Sequence, residues 1–208
     1  GFLFSYSIKN GNNTVINASL LGAKILSYSY KYTKNKMHAD LAKQAIQVVC
    51  DLQEKDGSWI YGEHKVQTWV DSFHTGFNLE CIWKVAKFTR EKSFLDSFNK
   101  GIDYYLENFF LENKIPKYYH NKTYPIDIHS PAQLIITLSN TDLLNKHKVL
   151  AEDVMKWTIE NMQESKGFFY YQLKRGVSSK ISYMRWAQAW MFKTFSEYIK
   201  FIEYENLD

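Results

Sequence analysis

Apolar positions along the chain recur at helical spacing in one segment after another. Within residues 37–53, Leu41, Ala45, Val48, Val49 and Leu52 form one stripe of an amphipathic helix. Phe94, Phe98, Ile102, Tyr105 and Phe109 mark a second such helix, and Ala151, Val154, Met155, Thr158, Ile159 and Met162 a third. All three have a polar back, which predicts an outer layer. The segments 17–32, 74–89, 130–140 and 183–203 are apolar around more of their circumference, above all at their starts (ASLLGA, GFNLECIW, AQLIITL, AQAWMF). A helix apolar most of the way round is buried, so these four predict an inner layer. Outer and inner helices alternating through short connections predict an all-α fold, a curved α/α array of three hairpins preceded by one inner helix.

The connections repeat as well. QEKDGSWIYG (53–62) leads to WVDSFHTGF (69–77), KIPKYY (114–119) to YPIDIHSPAQ (124–133), and QESKGFFYY (163–171) to SYMRWAQAW (182–190). Each runs from a turn through a polar segment to His or Arg at the head of an inner helix, so that His74, His129 and Arg185 lie 55 and 56 residues apart. A fixed long period is the mark of stacked copies of one supersecondary unit. Gly1 with Phe2, Phe4 and Tyr6 aligns with Gly57-Trp59-Tyr61 and Gly167-Phe169-Tyr171, so the sequence begins inside a repeat. The expectation is one α/α-hairpin repeat domain over 1–208 that lacks N-terminal repeats of a longer protein. Its first inner helix is then expected to expose an apolar flank.

Composition narrows the function classes. With 45% hydrophobic and 17% aromatic residues in 208, the chain supports one sizeable core. The net charge is +4, and the arginines are Arg90, Arg175 and Arg185. Clustered arginines on a basic face, the footprint of a nucleic-acid reader, are absent, so no nucleic-acid partner is expected. Cys50 and Cys81 sit among apolar neighbours and read as buried free thiols. No run approaches the length of a membrane span, and GFLFSYSIKNGNN lacks the features of a signal peptide, which gives a cytoplasmic expectation for this sequence. Sequons at Asn12, Asn17 and Asn121 carry little weight. No Gly-rich phosphate loop, H-E-x-x-H or C-x-x-C occurs, and His64, His74 and His129 lack a metal-motif spacing, so neither cofactor nor metal is expected.

The candidate chemistry lies where the connections enter the inner helices, whose unpaired N–H groups favour anionic or polyhydroxylated ligands. Asp71 with His74 and Asp127 with His129 are the sharpest pairs. A carboxylate beside an imidazole fixes its tautomer, the arrangement of a general acid or base. The same aspartates can equally serve as helix caps, with each histidine packing at a helix end. Arg185 holds the matching position in the last repeat. Tyr61, Trp69, Tyr118, Tyr119, Tyr171 and Trp186 crowd the same connections, and flat rings with a polar edge suit the C–H faces of sugars. Trp59 and Phe169, directly after their glycines, read as packing. Gln133 and Gln188 follow Ala132 and Ala187 and either line the cavity or bond across helices.

The Q-x-x-x-G-x-W turn of QEKDGSW, with its alternating helices, resembles the α/α toroid proteins, which include six-hairpin sugar enzymes, terpene cyclases and prenyltransferases. WVDSFHTGFNLECI, PKYYHNKTYPIDIHSPAQLIITL and RWAQAWMF more specifically resemble the VpsJ-like proteins of bacterial exopolysaccharide biosynthesis. The likeness covers essentially the whole chain and implies a toroid-like array, here a partial (α/α)6 barrel. It also implies a protein that handles a mono- or oligosaccharide, an acidic one where Arg185 grips a carboxylate. Among toroids, sugar 2-epimerases use histidines and an arginine at inner-helix ends, and uronate lyases and C5-epimerases use Tyr, His and Arg; His74, His129, Tyr118 or Tyr119 and Arg185 correspond by type. A terpene cyclase would want an Asp-rich motif, and this chain has no two adjacent aspartates. A glycan-binding module without catalysis is the alternative reading, followed by a glycoside hydrolase with Glu63, Asp71 or Asp127 as carboxylates.

Overall fold

The computed structural model describes residues 1–7 and 15–205, so the sequon at Asn12 lies outside the described residues. The chain divides into two compact units, Gly1–Tyr105 and Leu106–Asp208.

In the first unit, helices α1 (Ile16–Thr33), α2 (Lys36–Asp51) and α3 (Ser72–Thr89) pack on one another, and α4 (Leu95–Phe109) runs across the boundary. The helix ends follow from local chemistry. Asn35 caps α2 by accepting the N–H of Met37, and Asp71 caps α3 by accepting that of His74. Lys34 and Arg90 close α1 and α3 in the left-handed region. The α4 stripe is buried as its spacing predicts: Phe94, Phe98, Ile102, Tyr105 and Phe109 are all in the core. On α2 the buried line is instead Ala39, Ala42, Ala45, Ile46 and Val49, while Leu41, Val48 and Leu52 are half-buried. Alanines let helix axes approach closely, so the contact line runs through the small residues with the larger ones at its flanks.

The second unit contains α5 (His129–Asn140), α6 (Lys148–Met162) and α7 (Ala189–Glu205), with α5 packed on both others. Its two-residue strands β1 (Ile126–Asp127), β2 (Gln172–Leu173) and β3 (Ser178–Ser179) pair antiparallel in that order, and Asp127 lies opposite Gln172. A π-helical turn, Met184–Gln188, leads into α7, with Tyr183 O accepting from the N–H groups of both Ala187 and Gln188. On α6, Ile159 stays exposed while the rest of its stripe is buried.

The four helices expected to be inner differ. Every residue of α5 from Ser130 to Leu138 is buried, as expected. In contrast, α1 exposes Ile25 (67%) and α7 exposes Phe192 (75%) and Ile199. Within its unit α1 packs on α2 and α3, and α7 on α5 and the π turn; the opposite faces carry these apolar residues to solvent.

The repeated turn is the same object in both units. Gly57 N–H donates to Glu54 O and Gly167 N–H to Glu164 O; the side-chain amides of Gln53 and Gln163 donate to Gly57 O and Gly167 O, each at 2.9 Å. Both glycines have positive φ, +96° and +93°. A Cβ at Gly57 would also lie 2.4 Å from Lys100 O, whereas at Gly167 no atom is within 4 Å, so close packing requires glycine only at the first. Trp59 and Phe169 then drop into the core, Trp59 donating its indole N–H to Val49 O at 2.9 Å.

Candidate active site

In the first unit the site grows from the start of α3. The buried Asp71 uses Oδ1 to accept the backbone N–H of His74 (2.9 Å), and both its oxygens lie within 3.0 Å of His74 Nδ1. Its Oδ2 also accepts the indole N–H of Trp69 at 2.9 Å. A carboxylate only accepts, so it selects the tautomer with the proton on Nδ1 and leaves the basic lone pair on Nε2. Nε2 of His74 has no hydrogen-bond partner among the described residues, and the side chain is 21% exposed. Asp71 is thus cap and orienter together; the two uses open to it in the sequence coexist.

Aromatic rings build the wall. Tyr61 stacks on Trp69 with centroids 4.8 Å apart and planes 9° from parallel, and its ring lies 4.5 Å from that of His74. Backbone pairing holds the stack, since Tyr61 N–H donates to Trp69 O at 2.8 Å. Burial, and then the nearness of Tyr6 and Asp71, raises the Tyr61 phenol above its ordinary range, so it stays a hydrogen-bond donor at neutral pH.

The second unit repeats the device at the start of α5. Asp127 Oδ1 accepts the backbone N–H of His129 (3.0 Å) and lies 2.7 Å from its Nδ1, while Oδ2 accepts from Gln172 Nε2 at 2.5 Å. Gln172 reaches it because the β1–β2 register sets the two residues opposite each other. Burial first and then the Asp127 charge raise the Tyr171 phenol above its ordinary range. The ring of His129 has those of Tyr171 and Trp190 at 6.5 and 6.1 Å, and Tyr171 in turn meets Tyr183 (5.2 Å) and Trp186 (6.4 Å).

The π turn presents Arg185 and Trp186, which with Tyr183 and Met184 line a cavity of about 380 Å³. π-helical turns often mark functional positions because the extra residue re-aims side chains. Arg185 is exposed and has no carboxylate partner among the described residues. Tyr118 and Tyr119 are half-buried and meet edge to face at 4.9 Å, and Tyr119 lies near enough to Tyr171 to influence its ionisation.

Of the predicted site residues, then, Tyr61, Trp69, Asp71 and His74 meet in the first unit. Asp127, His129, Tyr171 and Trp186 gather in the second, with Arg185 beside Trp186. The two glutamines differ from these. Gln188 accepts from Phe169 N–H and donates to Phe169 O, and so bonds across rather than lining a cavity, while Gln133 is fully buried and donates to Thr137 Oγ1. Gln172 and Trp190 join the site unforeseen; Trp190 was signalled only by its place one helical turn after Trp186. Burial lifts the thiols of Cys50 and Cys81 to about 11 and about 12, which leaves both inert as nucleophiles. Among the described residues no group of three His, Cys, Asp or Glu side chains is arranged to hold a metal ion, and no helix is long and apolar enough to cross a membrane.

No protein-family model and no curated protein matches this chain. Solved structures do. Cellobiose 2-epimerase from Bacillus thermoamylovorans aligns with a TM-score of 0.73 and 14% identity, over 89% of this chain and 55% of its own. A polysaccharide lyase aligns at 0.71 and 12%, over 95% and 65%, and an unsaturated glucuronyl hydrolase specific for heparin at 0.69 and 15%, over 98% and 62%. The chain spans less than two thirds of the length of each. At these identities the likeness shows the fold alone, an all-α, α/α toroid architecture.

Proposed function

We propose that this protein is a carbohydrate-active enzyme that removes and returns a proton at a sugar carbon, by epimerisation or lyase-type elimination, in the assembly or modification of a polysaccharide. The observation that carries the reading is the repetition of one device: in each unit an aspartate binds the Nδ1 of a histidine at the start of a helix, beside aromatic rings that stack in the first unit and meet edge to face in the second. Such a histidine is preset for proton transfer through Nε2. His74 and His129 are the acid–base groups. The base takes the proton as the C–H bond breaks, and the electron pair moves onto the adjacent carbonyl or carboxylate oxygen. In epimerisation the carbon is then reprotonated on its other face. In elimination the pair forms a C=C bond, and the departing β-oxygen takes up a proton.

Arg185 holds the substrate carboxylate or the enolate-like oxygen, and Tyr61, Trp69, Tyr118, Tyr119, Tyr171 and Trp186 supply faces for sugar rings. A planar guanidinium grips a carboxylate at two points, which lysine cannot do. Arg185→Lys is therefore expected to weaken binding of uronate-containing oligosaccharides by about 1.5 to 3 kcal/mol, the range for hydrogen bonds to charged groups. Neutral oligosaccharides should bind nearly as before. Calorimetric titration of both ligand classes checks this, and equal losses would remove Arg185 from the carboxylate role.

A glycan-binding module is the second reading, favoured by the Tyr61–Trp69 stack, a flat platform whose Trp69 is 37% exposed. Hydrolysis by Asp71 and Asp127 fits less well, because both carboxylates are buried and engaged on both oxygens by their own neighbours, which leaves neither poised as nucleophile or acid.

A further inference from the structure

The far end of α3 carries a second cavity, about 390 Å³ in volume, whose first lining residue is nine positions beyond His74 and thus about 14 Å along the helix. Trp83, Ala86 and Leu95 form its apolar floor, and Lys87, Arg90 and Lys92 bring positive charge to its edge. Three further observations bear on an occupant. The indole N–H of Trp83 is shielded from solvent and has no acceptor among the described residues, which is costly for a buried donor. Arg90 and Lys92 are exposed and have no carboxylate partner among the described residues. Among the described residues the one acidic group lining the cavity is Glu91, which accepts from the Ser93 hydroxyl at 3.0 Å and the Ser93 N–H at 3.4 Å; these bonds hold its carboxyl below the usual range and keep it ionised, so the edge carries three cations against one carboxylate.

Cations near the last turn of α3 complement the helix dipole whether or not a ligand binds. The dipole explains neither the apolar recess beneath them nor the donor without an acceptor. An apolar recess of this size with a few converging polar groups is the usual form of a small-molecule site.

We infer that this cavity binds a small amphipathic anion, a molecule with an aliphatic or aromatic body and one carboxylate-like head. The body lies on Trp83, Ala86 and Leu95, and the head is held by Arg90 and Lys92. A modest rotation of the indole gives its N–H to an oxygen of the head. The site is distinct from the Asp71–His74 pair, and its occupancy does not depend on sugar chemistry.

Decanoate, with decanol as its uncharged counterpart, tests this on the protein with 15N-labelled tryptophan. The chain has six indoles, and Trp83→Phe identifies the Trp83 resonance. Decanoate below its micelle concentration should shift that resonance saturably, at least about 10-fold more tightly than decanol, and added salt should weaken it. The double variant Arg90→Ala/Lys92→Ala, altered only at exposed positions, should stay folded with a melting temperature lowered by no more than a few degrees, the lost dipole complement, and lose at least about 5-fold in decanoate affinity. An unmoved Trp83 resonance, equal affinity for decanol, or an unchanged affinity in the double variant would each overturn the inference. None of these outcomes bears on sugar turnover, so this site and the sugar reading stand or fall separately.

Discussion

Alanine in place of His74 is expected to lower turnover of a sugar substrate by about 10²- to 10⁴-fold, the usual range for a lost general acid or base. His129→Ala should do the same. Folding should survive, because His74 is only half-buried and its aromatic neighbours Tyr61 and Phe73 remain; a stability change of about 1 kcal/mol is ordinary for such a site. Ligand affinity should stay within a few-fold, since the aromatic rings around each histidine are untouched. Steady-state kinetics, denaturant unfolding and ligand titration on the same variants separate the cases. If the protein is a binding module, the variants lose affinity modestly and there is no turnover to lose.

Asp71 gives the second large effect, and here two variants divide structure from chemistry. Asp71→Ala removes the α3 cap and leaves the indole N–H of Trp69 and Nδ1 of His74 without their acceptor. Loss of a cap alone costs about 0.5 to 2 kcal/mol, so this variant should be measurably less stable. Asp71→Asn keeps a good cap and should lose less than about 1 kcal/mol. It supplies one oxygen where the carboxylate supplies two, so Trp69 and His74 can no longer both be satisfied, and the His74 tautomer is no longer fixed. Turnover should then fall about 10²-fold or more in a protein that unfolds almost as the parent does. Parental turnover in Asp71→Asn would leave Asp71 as a cap and nothing else.

What was legible in the sequence was local. The Asp–His pairs are three and two residues apart, a separation at which capping forces contact, and both formed. The α4 stripe of large side chains fell in the core because only one face of that helix can take them. Alanine carries little weight in a hydrophobic pattern, and so the line through Ala39, Ala42 and Ile46 on α2 went unseen although it is where the helices meet. Strands of two residues cannot show alternation, which hid the small sheet and with it Gln172, whose partner Asp127 lies 45 residues away. The exposure of Phe192 and Ile199 on α7 has a similar origin: the composition of a helix reports how much apolar surface it has, and only its neighbours decide how much is covered.

Proton transfer at a sugar carbon leaves an isotopic trace in heavy water. Uronate-containing oligosaccharides, with neutral ones in parallel, would be incubated with the protein in deuterated water and followed by NMR and mass spectrometry. The parent protein should place deuterium at one ring carbon of an acidic sugar, or yield an unsaturated product, and His74→Ala should do neither. Protein that binds these sugars and yields no exchange and no unsaturated product across the panel would contradict proton transfer as its chemistry.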